Sequence, residues 1–265
     1  MYSNGTNGSP CYDSSPQFIE LPSSITCAGN EFIYNPNAFD PDADSMVFAF
    51  GQPLNNITTA YTPPTDPTPL NWASGYSINS PLPSTTQNSG NIPATINANT
   101  GEISFKSNTI GSFALVVRAQ SYRCGVLLAE VYREMQVIVV SCGSNSPPTV
   151  TPPLNGNTTF SDTVTAGDLV NFTINASDLE LLQDNSNQNV ELYASGSQFG
   201  TNFTNSASGC NNPPCATLST TPPIIGNQNV STNFSWQTGC NHVKKSNLPG
   251  CSSNDNTYNF VFKVK

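Results

Sequence analysis

The chain has 265 residues, of which 36% are hydrophobic and only 9% are charged. Asn, Ser and Thr occur 34, 32 and 27 times, and Pro and Gly add 22 and 18. This composition favours turns and strands. It excludes a helical bundle, a coiled coil and a membrane span, and it argues against a doubly wound α/β enzyme, whose helices need Ala, Leu, Glu and Lys.

The charge is unevenly placed. Eight basic and 17 acidic residues give a net charge of −9, and no Lys or Arg precedes Lys106. The first 105 positions therefore carry acidic residues without basic ones, an arrangement that repels nucleic-acid phosphates and attracts cations. We expect no nucleic-acid partner and no direct insertion into a membrane.

Prolines mark the organisation of the chain. Residues 51–100 hold eight prolines and few apolar residues, which predicts a long polar surface insertion. A Pro-rich linker follows at 144–157, where paired prolines favour a semi-rigid connection. We predict a lead-in or the end of a preceding module at 1–26 and a β-sandwich at 27–143. A second sandwich at 158–265 stops inside a strand and is predicted to be incomplete at its C terminus.

Strand signals dominate both halves. Every second side chain is apolar in residues 111–119, and residues 136–140 form an apolar run typical of a core strand. Residues 126–135 fit either a helical stripe or a strand, and the β-branched residues that follow them favour a strand. The halves also echo each other, because residues 32–40 and 170–178 each combine a short alternating strand with an acidic cluster.

These motifs resemble a known family. Asp40-Pro-Asp-Ala-Asp-Ser-Met46, then Thr100-Gly-Glu-Ile103 and then residues 111–119 are similar to cadherin-like modules of bacterial surface proteins. The likeness extends to the repeat modules of gliding-motility-associated proteins exported by the type IX pathway. It implies two tandem Ig/cadherin-like β-sandwiches. Two features depart from the family: Ala43 replaces a Gly, and residues 118–120 lack the metal-binding Asp that such modules often carry.

Acidic clusters are candidate Ca²⁺ sites, because Ca²⁺ takes six to eight oxygen ligands. The first cluster is Asp40, Asp42 and Asp44, which does not follow the EF-hand spacing. The alternative is a turn in which these side chains accept backbone N–H groups. A weaker candidate in the second half comprises Asp178, Glu180 and Asp184.

Other candidate residues carry less specific signals. Trp72 and Tyr76 form a candidate ligand platform in the insertion, with packing onto the insertion's own sandwich as the alternative. Ser45 and Thr163 follow Asp and precede an aliphatic residue, a pattern of bacterial O-glycosylation that the resemblance implies. The single histidine, His242, is expected on a surface loop. No catalytic motif is present, so we expect no enzymatic activity.

The eight cysteines predict disulfides in an oxidising compartment, since no Cys-x-x-Cys pair occurs. In the second half, local spacing favours Cys210 with Cys215 and Cys240 with Cys251. In the first half the resemblance to Ig-like modules implies Cys27 with Cys142, because their first and last strands lie side by side. The remaining pair would be Cys11 with Cys124.

The sequence thus predicts an exported cell-surface segment without its signal peptide, with a structural or adhesive role in surface adhesion or gliding motility. Its expected partners are neighbouring modules of the same protein, other surface proteins or glycans. Two alternatives stay open: a subunit that self-associates into an extracellular fibre, and a carbohydrate-binding module of a secreted glycan-degrading protein.

Overall fold

The computed structural model describes residues 13–23, 25–54, 68–143, 146–182, 184–243 and 256–265. They form an all-β protein, and the helical elements within these ranges are two short 3-10 turns, Thr201–Phe203 and Cys240–His242. The chain divides into two compact units, Met1–Gly143 and Ser144–Lys265, each with its own hydrophobic core. No helix in the described part of the chain is long and apolar enough to cross a membrane.

The first unit contains a four-stranded and a three-stranded sheet. The larger sheet has the order β2-β9-β8-β5, with the ranges Ile25–Cys27, Val126–Val140, Gly111–Arg123 and Ser45–Phe50. The smaller has the order β3-β7-β6, with the ranges Glu31–Tyr34, Ile103–Lys106 and Ile92–Ile96. A further pair joins β1 (Gln17–Phe18) to β4 (Ala38–Phe39). All pairings are antiparallel except that of β2 with β9, which is parallel.

The core of the first unit lies where the inward faces of these sheets meet. On β8 and β9 alternate side chains are buried, as the strand period requires: Leu115, Val117 and Ala119 on one strand, Met135, Val137 and Val139 on the other. They pack with Phe32, Ile103 and Phe105 from the smaller sheet. Each fully buried large side chain contributes about 1.5–3 kcal/mol. The ambiguous stretch 126–135 is strand, since it pairs with β8 along its length, and its last residue, Met135, belongs to this core.

The polar insertion is shorter than the sequence suggests. Residues 92–96, counted within it, form β6 and pair with β7. Pro93 interrupts the alternating pattern that would indicate this strand. The pairing with β7 accommodates the proline by a register shift between Ile92 and Thr95. The described part of the insertion is also anchored, because Leu82 is fully buried in the core of the first unit.

The second unit repeats the two-sheet arrangement with different strand lengths. One sheet has the order β10-β11-β15-β13, with the ranges Thr149–Thr151, Leu169–Ser177, Asn229–Gln237 and Thr217–Leu218. The other has the order β14-β12-β16, with the ranges Ile224–Asn227, Asn189–Ser195 and Val261–Val264. Aromatic rings fill its core: Phe234 stacks on Phe172 at 4.6 Å between centroids and meets Phe199 and Phe260 edge-on.

The sequence similarity between residues 32–40 and 170–178 does not extend to their strand arrangement. Residues 169–177 form one continuous strand, β11, whereas the matching stretch of the first half is split into β3 and β4 around Asn35 to Asn37. Asn37 has a positive φ of 49°, which ends the extended conformation there.

Two disulfides join described cysteines, and both match the pairings expected from the sequence. Cys27 and Cys142 lie 5.4 Å apart between Cα atoms, because β2 runs parallel beside the end of β9. Cys210 and Cys215 close a short loop in the second unit. Cys124 is also disulfide-bonded, while the proposed partner Cys11 lies outside the described residues.

The fourth predicted pair differs. Cys240 is an exposed free thiol at the start of a 3-10 turn, whereas the sequence paired it with Cys251, which lies outside the described residues. Short sequence spacing predicts that two thiols can meet, but the turn at Cys240 directs its side chain to solvent.

Candidate functional site

The first candidate site is the aspartate loop, residues 40–44, which connects β4 to β5. Asp40 Oδ1 accepts the backbone N–H of Asp42 at 2.9 Å and that of Asp44 at 3.3 Å. The backbone N–H of Ala43 closes the turn onto the Asp40 carbonyl at 3.0 Å. Ala43 has a φ of 60°, a conformation that Gly adopts without strain, so Ala at this position costs conformational energy.

Arg123, at the end of β8, supplies the positive charge for this loop. Its Nε and Nη2 donate to the two oxygens of Asp44 at 2.9 and 2.6 Å, and Nη2 also donates to Asp13 Oδ1 at 3.1 Å. The Asp44 side chain is fully buried, and Asp13 and Arg123 are mostly buried. Hydrogen bonding to Asp44 raises the pKa of Arg123, whereas burial, followed by the charge of Asp44, raises the pKa of Asp13.

Asp40 carries a buried side-chain oxygen whose hydrogen bonding is incomplete. Its residue is 6% exposed, and its Oδ2 has no hydrogen-bond partner among the described residues. Burial is the main reason that its pKa rises to about 6. The folded protein therefore takes up a proton at Asp40 in mildly acidic solution.

The loop does not fit a Ca²⁺ shell as it is folded. Both oxygens of Asp44 bind Arg123, Asp40 Oδ1 accepts two backbone N–H groups, and Asp42 Oδ2 accepts the N–H of Ser14 at 2.5 Å. Asp40 Oδ2 and Asp42 Oδ1 remain, which is far fewer than the six to eight oxygens that Ca²⁺ takes. The geometry favours the alternative interpretation, an aspartate turn closed by backbone N–H groups, with an arginine bound to Asp44.

The three residues of the second acidic cluster accept separate hydrogen bonds. Asp178 Oδ1 accepts the N–H of Glu180, Glu180 Oε2 accepts the N–H of Ser146, and Asp184 Oδ1 accepts the N–H of Ser186. The hydrogen bond from the Ser146 N–H lowers the pKa of Glu180, and the one from the Ser186 hydroxyl, followed by that from the Ser186 N–H, lowers the pKa of Asp184. Across the described residues, no group of three or more His, Cys, Asp and Glu side chains is arranged to hold a metal ion.

The insertion's aromatic residues pack onto their own unit. The Trp72 indole N–H donates to Gln52 Oε1 at 2.7 Å, and Gln52 donates in turn to the carbonyl of Leu70. The Tyr76 ring lies 6.1 Å from that of Phe113. Both rings are only half-exposed. The arrangement matches the packing alternative better than a ligand platform.

A different polar and aromatic cluster lies on the solvent side of β5, β8 and β9. The strand register places Tyr132 opposite Arg118 and Glu130 opposite Gln120. Glu130 accepts hydrogen bonds from Tyr132 Oη and Gln120 Nε2, and its Oε2 lies 3.8 Å from Arg118 Nη1. No local sequence pattern indicates this cluster, because its residues come from two strands and are brought together only by the strand register.

His242 is buried rather than on the surface, with 3% exposure. Its Nδ1 accepts the N–H of Gly239 at 2.9 Å, and its Nε2 donates to the carbonyl of Asn212 at 2.7 Å. The ring also packs against Trp236 at 4.9 Å. His242 thus ties the Cys210–Cys215 loop to the core, a structural role that its polar sequence neighbours concealed.

The two predicted glycosylation positions are accessible. Ser45 begins β5 and Thr163 lies in the loop before β11, and both are exposed. Modification requires an accessible hydroxyl, and both positions provide one. Glycosylation at Ser45 and Thr163 stays a prediction.

Fold and sites together define a class: an all-β, disulfide-containing protein of two core-forming units, whose polar clusters are held by internal hydrogen bonds. No protein-family model matches the sequence, and no curated protein is significantly similar to it. The resemblance to gliding-motility-associated modules therefore rests on the sequence motifs.

Proposed function

We propose that the chain is a structural and adhesive segment of a large extracellular cell-surface protein, of the kind used in surface adhesion or gliding motility. Partners of such a segment are neighbouring modules of its own chain and glycans or proteins on other surfaces. Disulfides support the extracellular location, because they persist in oxidising compartments.

The observation that carries the structural role is the position of the Cys27–Cys142 bond. It joins the end of β2 to Cys142, two positions after the end of the internal strand β9, across a sequence separation of 115. A pulling force that enters before Cys27 and leaves after Cys142 passes through this covalent bond. The strands from β3 to β8, which lie between them, are then shielded from the load, which suits a module that works under tension.

Pulling the chain by its two ends, with and without a thiol reductant, tests this role. The oxidised first unit should contribute almost no extension on unfolding, and reduction should release it. A first unit that extends equally in both conditions would overturn the proposal.

A carbohydrate-binding role is the second candidate, and the cluster around Glu130 is the observation that favours it.

A further inference from the structure

The solvent side of β5, β8 and β9 carries two cross-strand rows of side chains. One row is Ala49, Arg118 and Tyr132, and the other is Val47, Gln120 and Glu130. We call these six residues the Tyr132 face. Neighbouring strands lie about 4.8 Å apart and the rows about 7 Å apart, so the face offers a shallow, nearly flat surface wider than one small ring.

Tyr132 presents an open aromatic surface on this face. Its residue is 45% exposed. Its ring lies against Gly51, where a Cβ atom would stand 3.1 Å from Tyr132 Cδ1, so glycine makes room for the ring at the sheet surface. Among the described residues, no aromatic ring or cation stacks on Tyr132.

The polar groups around this ring are held in place by one another. Glu130 is the shared acceptor for Tyr132 Oη and Gln120 Nε2, and Tyr122 Oη donates to Gln120 Oε1 at 3.1 Å. Burial, together with the hydrogen bond to Glu130, raises the pKa of Tyr132 to about 12, so the phenol stays protonated and donates. A network fixed before binding loses little conformational entropy when a ligand arrives.

The charges on the Tyr132 face restrict the class of ligand that this face can bind. The Tyr132 face carries one guanidinium and one carboxylate, which neutralise each other, in a chain of net charge −9. Such a face offers no attraction to a polyanion and presents both donors and acceptors beside an apolar ring. A neutral, hydroxyl-rich ligand matches it, because C–H groups pack on the ring while hydroxyls exchange hydrogen bonds with Arg118 and Glu130.

We propose that the Tyr132 face binds a neutral polysaccharide, with Tyr132 as the stacking ring and Arg118 and Glu130 as the partners of sugar hydroxyls. This inference rests on the adhesive role proposed above and supplies its ligand class.

The second unit offers a matched control. Tyr193 also donates to a carboxylate, Glu191 Oε2 at 2.6 Å, but Lys265 Nζ lies 5.1 Å from its ring centroid and covers the ring. The two tyrosines thus share a local hydrogen bond and differ in the access of a ligand to the ring. Removal of the Tyr193 side chain should leave binding unchanged.

Calorimetric titration with soluble neutral oligosaccharides of glucose, mannose and galactose, and with a uronic-acid oligomer, tests the proposal. We expect binding to at least one neutral series. Tyr132→Ala should weaken it at least tenfold, which corresponds to about 1.4 kcal/mol. Tyr132→Phe, which keeps the ring, should retain most of the affinity, and Tyr193→Ala all of it. Thermal melts establish that each variant is folded.

Three outcomes would overturn the proposal: no binding to any neutral series, preferred binding of the uronic-acid oligomer, or wild-type affinity in a folded Tyr132→Ala or Arg118→Gln variant. None of them bears on the force experiment, because the Tyr132 face is not part of the Cys27–Cys142 connection. The structural role and the sugar site can therefore fail separately.

Discussion

At the residue scale, the aspartate loop shows how the chain accommodates three carboxylates within five positions. Backbone N–H groups satisfy Asp40 Oδ1, and a single guanidinium, Arg123, binds both oxygens of Asp44. Arg123 also reaches Asp13, so one cation pairs with two carboxyl groups from distant parts of the chain. The arrangement ties the lead-in, the loop before β5 and the end of β8 together.

Substitution of Arg123 should lower the stability of the protein strongly. We expect Arg123→Gln to lower the free energy of unfolding by about 3–5 kcal/mol, because it leaves Asp44 and Asp13 buried without their partner. Arg118→Gln is the control: its contact with Glu130 is 3.8 Å long and half-exposed, so its loss should cost about 1 kcal/mol or less. Urea denaturation measures both. Equal effects of the two substitutions would contradict the assigned role of Arg123.

Asp40 should give the first unit a characteristic pH dependence. Its pKa is raised from 3.8 to about 6, so between these values the folded state binds more protons than the unfolded state. Its contribution to stability therefore falls as the pH rises through this window, by about 3 kcal/mol in total, and stays low above pH 6.

Asp40→Asn removes this titration while keeping an oxygen for the backbone N–H groups. The stability of the variant relative to the wild type should rise by about 2 kcal/mol between pH 4 and pH 7, the part of the total that falls in this interval. Chemical denaturation at several pH values measures the difference. A difference that does not change with pH would show that Asp40 does not titrate in this window.

At the element scale, the long β8–β9 hairpin organises the first unit. Its inward side chains form the core, its outward side chains form the Tyr132 face, and Arg123 near its turn holds the aspartate loop. The remaining strands attach to its two edges or pack against it. The described part of the insertion is fastened to the same core by Leu82.

This anchor can be tested by truncation. Leu82→Ala should lower the free energy of unfolding by about 2–5 kcal/mol, because the side chain is fully buried and its loss leaves a cavity. Leu70→Ala, at a position that is 43% exposed in the same insertion, should change stability by about 0.5 kcal/mol or less. If both substitutions are neutral, the insertion is not anchored by Leu82.

The sequence predicted the elements with a clear period and missed those set by tertiary contacts. The alternation in residues 111–119 predicts β8 because one face of the strand is buried. β6 escapes prediction because Pro93 interrupts its pattern. The Arg123–Asp44 pair spans 79 positions, and the Tyr132 face depends on strand register, so neither leaves a local signal. His242 is buried for the same reason: its partners are distant in sequence.

At the scale of the whole molecule, the unusual composition has a structural explanation. Six exposed positions of β11 and β15 are amides and hydroxyls rather than charges: Asn171, Thr173, Asn175, Asn229, Ser231 and Asn233. Both strands bury their alternate residues, so the sheet keeps a normal core beneath an uncharged polar surface. Neutral polar groups therefore hydrate the surface of this sheet in a chain with 9% charged residues. Hydration of this kind does not depend on ion pairs that salt would screen.

The central claim, that the first unit carries load through a covalent bond, is tested most directly by single-molecule force spectroscopy. The Cys27–Cys142 separation of 115 residues corresponds to about 400 Å of extended chain. This length should be absent from the oxidised protein and appear on reduction. The second unit, whose disulfide spans five residues, should extend in both conditions and so provides the internal control. Release of the 400 Å from the oxidised protein would contradict the account.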